Sequence, residues 1–131
     1  MVARSMLPII LYVEDEIAII NLLRESLNML KMPVNLIGVN NVNGGLQIIH
    51  SQRPDLIILD LMLPGRSGWD LVRELRADDA FVDLPIIILS VKRHEDETLE
   101  GFPVDQVQQF MTKPFSVIEL GNKIKQYLPT T

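Results

Sequence analysis

Short apolar blocks alternate along the chain with segments of helical period. The blocks are PIILYV (8–13), PVNLIGV (33–39), PDLIILD (54–60), PIIILS (85–90) and QVQQFMT (106–112). Most are rich in β-branched residues and apolar nearly throughout, the pattern of strands covered on both faces. Four open with a proline, Pro8, Pro33, Pro54 and Pro85, a residue tolerated at the start of a strand and unable to extend a preceding helix. Between the blocks the period changes. Ile20, Leu23, Leu27 and Leu30 recur at helical spacing, as do Val117, Leu120, Ile124 and Leu128. Leu46 and Ile49 mark a shorter helix between Val42 and His50, with a glycine-rich first turn. Ser67-x-x-Asp70 and Ser116-x-x-Glu119 have the capping-box form and predict helix starts. The least regular stretch is 92–105, a charged RHEDE run followed by Gly101 and Pro103.

The order is strand then helix, five times over. Such alternation gives an open parallel sheet with right-handed crossovers and helices on both faces. The predicted class is α/β, a doubly wound sheet in one domain over residues 1–131, with its core at about 8–128. A length of 131 residues fits one domain, and 47% hydrophobic residues are enough for a buried core. A net charge of -5 disfavours direct nucleic-acid binding. The absence of cysteine removes thiol catalysis and cysteine-ligated metals. The longest apolar run, Ile9 to Val13, is far below the roughly 18 residues a bilayer span needs. Met1 to Pro8 has no signal-peptide form. A cytoplasmic protein without a membrane partner is therefore expected.

In sheets of this kind ligands gather at the carboxyl ends of the strands. The first strand ends in Glu14-Asp15, the third in Asp60, the fourth in Ser90 and the fifth in Thr112-Lys113. In a flavodoxin-like order the two acid-bearing strands are neighbours. Glu14-Asp15 could merely complement a helix dipole, but an acid closing an apolar strand, as Asp60 does, is costly unless paired. Three converging carboxylates repel one another and call for a hard divalent cation with oxygen ligands. Lys113 offers a point charge for a phosphate oxygen and Ser90 a donor. A carboxylate nucleophile, Mg²⁺, a lysine and a hydroxyl are the parts needed to accept a phosphoryl group.

The blocks VEDE (13–16), LDLMLPGRSG (59–68), ILS (88–90) and TKPF (112–115) resemble the signatures of the response-regulator receiver domain of two-component and phosphorelay signalling. Each block is weak alone; four in this order, at strand ends, are jointly specific. The resemblance runs from about Ile9 to Leu128. It implies a CheY-like (βα)5 fold with strand order 2-1-3-4-5. It implies Asp60 as phospho-acceptor, Asp15 as direct Mg²⁺ ligand, Glu14 acting through a bound water, and the Met62 backbone carbonyl as a further ligand. Ser90 and Phe110 correspond to the switch pair, Lys113 to the family's lysine, and the Lys113–Pro114 bond to a cis peptide. The implied partner is a sensor histidine kinase or phosphotransfer protein. The implied output runs through the face made by the fourth helix, fifth strand and fifth helix. The resemblance implies a signalling domain rather than an enzyme, as a monomer or weak homodimer with its downstream effector unspecified.

Two departures stand out. Val91 replaces the small residue the family usually has after the serine, and could narrow access to the site. Gly101 precedes Phe110 by more than the usual interval, so the fourth helix is expected to be short, shifted or partly unwound. These motivate an alternative, a receiver-like interaction module that does not switch. A phosphatase of the aspartate-nucleophile type would want an aspartate where Met62 stands. A flavodoxin would want a hydroxyl- and glycine-rich loop where VEDE stands. His50, His94 and the Glu95–Glu97 run are read as solvated positions. Trp69 is expected to pack, partly exposed, at the start of the third helix.

Overall fold

A computed structural model describes residues 7–91 and 104–129. Five strands, β1 (Ile9–Val13), β2 (Asn35–Val39), β3 (Leu56–Leu59), β4 (Ile86–Ser90) and β5 (Gln109–Thr112), form one parallel sheet in the order β2-β1-β3-β4-β5. Four helices are described: α1 (Ile17–Met29), α2 (Val42–Gln52), α3 (Gly68–Arg76) and α4 (Val117–Tyr127). The last is the fifth in the expected order. The expected fourth falls mostly on residues 92–103, outside the described residues, as do His94 and the Glu95–Glu97 run. A 3-10 turn, Val104–Gln106, follows them.

Strand alternation sorts the core into two layers. Leu11, Val13, Ile57, Leu59, Ile86 and Ile88 point to one face, where they meet Val42 and Ile49 of α2 and Leu71, Val72 and Leu75 of α3. Ile10, Tyr12, Leu56, Ile58, Ile87 and Leu89 point to the other, against Ile20, Leu23 and Leu27 of α1 and Leu120 and Ile124 of α4. The apolar runs are thus apolar because both faces of the sheet are covered.

The prolines act at the margins. The Pro8 carbonyl accepts from Asn35 N–H and the Pro85 carbonyl from Ile57 N–H, so pairing begins just as each strand opens. Three of the four described helix starts are capped by side chains. Asn41 accepts from Gly44 N–H at 2.7 Å, Ser67 from Trp69 N–H at 3.1 Å and Ser116 from Glu119 N–H at 3.3 Å. β5 is shorter than its apolar block. The Arg76 guanidinium bonds the carbonyls of Gln106 and Phe81, each at 2.9 Å, and the Gln108 side chain accepts from Ile86 N–H at 2.7 Å. These contacts hold 106–108 against α3 and β4 as an approach, and the ladder proper starts at Gln109.

One glycine governs the loop after β3. A Cβ on Gly68 would lie 2.7 Å from the Asp60 carbonyl oxygen and 3.1 Å from the Leu61 Cα. The first residue of α3 therefore packs directly on the backbone that carries Asp60. Gly68→Ala is expected to cost about 1–3 kcal/mol in urea unfolding, because backbone, not a pliable side chain, must yield.

Candidate functional site

Glu14 and Asp15 follow β1, Asp60 follows β3, Ser90 closes β4 and Lys113 follows β5. Since β3 lies between β1 and β4, these residues share the carboxyl edge of the sheet. Glu14 and Ser90 are fully buried, Asp60 is 4% exposed, and Asp15 is open to solvent. Backbone bonds seat them: Glu14 N–H donates to Val39 C=O, Asp60 N–H to Val13 C=O and Lys113 N–H to Ser90 C=O at 2.8 Å. The Lys113–Pro114 peptide is cis, as expected.

The Lys113 ammonium is the hub. It donates to Glu14 Oε1 at 2.6 Å and to Asp60 Oδ2 at 3.0 Å. The remaining oxygens are also held. Asp60 Oδ1 accepts from Met62 N–H at 2.9 Å and Glu14 Oε2 from Glu16 N–H at 3.2 Å. The Tyr12 hydroxyl, buried in β1, donates to Glu14 Oε1 at 3.2 Å. Burial raises the Glu14 pKa; the Lys113 hydrogen bond and charge act against that without reversing it, and the Asp60 charge adds to the rise. Burial opposes the Lys113 charge, but its bonds to Glu14 and Asp60 outweigh that and leave its pKa raised. Burial, with the negative charge of Glu14 next, raises the Tyr12 pKa, so the phenol keeps its proton.

Glu14, Asp15 and Asp60 each offer a carboxylate oxygen, and these atoms all lie within 4.8 Å of one another. All three are hard oxygen donors, the set that suits Mg²⁺. The Ser90 hydroxyl is buried without a hydrogen-bond partner, a costly state for a polar atom. The site thus carries a surplus of negative oxygens on one side and an unmet hydrogen-bonding group on the other.

Known proteins resemble this chain in sequence and in fold. The family model described as response regulator receiver domain matches residues 10–125. The chain belongs to that family. Among curated receiver-containing relatives, it is 38% identical over 122 residues to the phosphate regulon transcriptional regulatory protein PhoB of Pseudomonas aeruginosa. That match covers 93% of this chain and 52% of the relative, so the chain spans about half the length of PhoB. The fold of the phosphorylated cyanobacterial phytochrome response regulator RcpA superposes with a TM-score of 0.76 at 26% identity, covering 95% of this chain and 99% of that one. The receiver domain of a Pseudomonas aeruginosa sensor histidine kinase, solved with magnesium coordinated in its active-site cleft, gives 0.76 at 25% identity, covering 92% and 97%. The (βα)5 expectation, with its 2-1-3-4-5 order, is that of the receiver fold. Among the described residues no helix is long and apolar enough to cross a membrane.

The structure brings Glu14, Asp15, Asp60 and Lys113 together and puts the Met62 amide on Asp60. Phe110 stands on β5, with β4 between it and the strand that leads to Asp60, half-buried against the α2/α3 core layer and level with Ile88. Val91 lies exposed at the end of β4. One expectation is corrected: Trp69 is only 3% exposed, because the close seat of Gly68 on the Asp60 loop carries the next residue inward among Leu61 and Val72. Two groups escaped the sequence reading, the Tyr12 hydroxyl and the Glu16 amide. The signal for Tyr12 was available, since a strand residue two before Glu14 shares its face.

Proposed function

We propose that this receiver domain of a two-component response regulator accepts a phosphoryl group on Asp60 from the phosphohistidine of a partner histidine kinase or phosphotransfer protein. The observation that carries the reading is the Lys113 ammonium held on both Glu14 and Asp60, beside three carboxylates that can close on one cation.

A free lone pair on an Asp60 carboxylate oxygen forms the new O–P bond while the bond from phosphorus to the donor nitrogen breaks, and the donor leaves with that electron pair. Mg²⁺ held by Glu14, Asp15, Asp60 and the Met62 carbonyl would supply the positive charge that the transferring oxygens need. The protein's own part is positioning. Met62 N–H fixes one oxygen of Asp60, and Lys113 stands ready to move from Asp60 to a phosphoryl oxygen. The new group brings ≈ −1.5 to −2 charge to a site where Ser90 has an unspent donor. Alternation from Ile86 and Ile88 places Ser90 on the same face as Phe110. A move of Ser90 toward the phosphoryl group opens space on the side where Phe110 packs, which alters the surface around β5 and α4 as a shift in population. The intact Ser90 and Lys113 favour this switching reading over an inert interaction module.

Titration with beryllofluoride in the presence of Mg²⁺, followed by amide spectra, tests it. Shifts are expected first at Asp60, Met62, Ser90 and Lys113 and then at Phe110 and along β5 and α4. No response at the acids would overturn the phosphorylation reading. A response confined to the acids would leave the non-switching module.

A further inference from the structure

The phosphorylation scheme makes no use of the Tyr12 hydroxyl, the one side chain besides Lys113 that bonds Glu14 among the described residues. Tyr12 is the next-to-last residue of β1, fully buried among the residues that α1 and α4 cover. A phenylalanine would fill that space equally well, whereas a buried phenol needs a partner. Its partner is Glu14 Oε1, at 3.2 Å, the same oxygen that takes the 2.6 Å bond from Lys113. The two donors differ in mobility. Lys113 is a flexible chain, while Tyr12 is clamped in the core and cannot follow a ligand. When Lys113 turns to a phosphoryl oxygen, Glu14 keeps only Tyr12 and the Glu16 amide on its other oxygen.

We propose that Tyr12 is a positioning residue that holds the Glu14 carboxylate in its metal-facing orientation and leaves Lys113 free to serve the phosphoryl group. This rests on reading Glu14, Asp15 and Asp60 as a Mg²⁺ site. It extends to the core a rule of metal centres, that hydrogen bonds to a ligand from behind set its orientation and affinity.

The test is Mg²⁺ titration by calorimetry of the whole chain as wild type, Tyr12→Phe, Glu14→Gln and the double variant. Tyr12→Phe is expected to weaken Mg²⁺ roughly ten-fold, and to weaken it no further when Glu14 is already glutamine. An equal loss in both backgrounds would mean a packing defect and overturn the proposal, as would unchanged affinity in Tyr12→Phe. Wild-type protein that takes up no Mg²⁺ would instead remove the metal reading itself. A second measurement needs no change at the site. The chain has two tyrosines, so Tyr127→Phe leaves Tyr12 as the sole source of a tyrosine ring ¹³Cζ signal. That signal is expected to move on Mg²⁺ addition and to move again with beryllofluoride, as Glu14 trades Lys113 for the phenol. A signal indifferent to both overturns the proposal even if Tyr12→Phe does not fold.

Discussion

Asp60→Asn is expected to abolish phosphorylation outright. With acetyl phosphate and Mg²⁺, wild-type protein should gain a hydroxylamine-sensitive acyl phosphate, seen as a mass increment in intact-protein spectra, and the variant should gain none. The other two acids cannot substitute. Glu14 is fully buried and both its oxygens are occupied, one by Tyr12 and Lys113 and the other by Glu16 N–H. Asp15 lies in the open, and no hydrogen bond or ion pair of the described residues ties it to Lys113. Asp60 shares the Lys113 ammonium with Glu14, but each of its oxygens takes a single hydrogen bond and its side chain is not wholly sealed from solvent. The asparagine is nearly isosteric, so its backbone neighbours and the Gly68 contact should persist, and a normal melting curve would separate lost chemistry from lost fold. Labelling that persists in Asp60→Asn would refute the assignment of the acceptor.

The strands are legible in the sequence because each apolar block is covered on both faces. No alternation of apolar with polar residues is then required, and continuous runs such as Ile86 to Leu89 remain. That same continuity hides where pairing begins. The block at 106–112 reads as one strand, but the side chains of Arg76 and Gln108 take up its first residues. Those bonds join residues some twenty to thirty positions apart, and local pattern does not record them. The acids and Lys113 are legible for a topological reason, since a parallel sheet gathers strand ends on one edge. Their mutual partnering is not: that Lys113 spans Glu14 and Asp60, and that Ser90 is left without a partner, depends on side-chain placement across four strands. Trp69 departs from expectation because its burial follows from the backbone approach at Gly68, not from any periodicity of α3. Tyr12 lies within reach of a sequence reading, but a tyrosine inside an apolar run looks like filler.

Lys113→Met is expected to show the charge balance of the site directly. Lys113 is the only cation bonded to Glu14 and Asp60 among the described residues, and the side chains of all three are largely shielded from water. Removing it leaves two buried carboxylates facing each other, which should destabilise the metal-free protein by roughly 3 kcal/mol at neutral pH. The loss should depend on pH in a definite sense. Burial already raises the Glu14 pKa, and losing the hydrogen bond and charge of Lys113 raises it further. A carboxyl group whose folded pKa lies above its unfolded value contributes stability that is complete below the ordinary carboxylate range. That contribution is lost as pH rises through the folded value. The deficit of Lys113→Met relative to wild type should therefore be small near the acid end and grow toward neutrality. Mg²⁺ should reverse the deficit, because a divalent cation replaces the missing charge and binding to the folded state alone adds stability. The variant's melting temperature is expected to rise more with Mg²⁺ than that of wild type, while its phosphorylation by acetyl phosphate falls, since no ammonium remains to meet the phosphoryl oxygen. Melting curves across pH, with and without Mg²⁺, check all of this in one set. A deficit that is flat in pH and untouched by Mg²⁺ would mean that Lys113 holds the fold by packing alone and that the acids do not share a common charge balance.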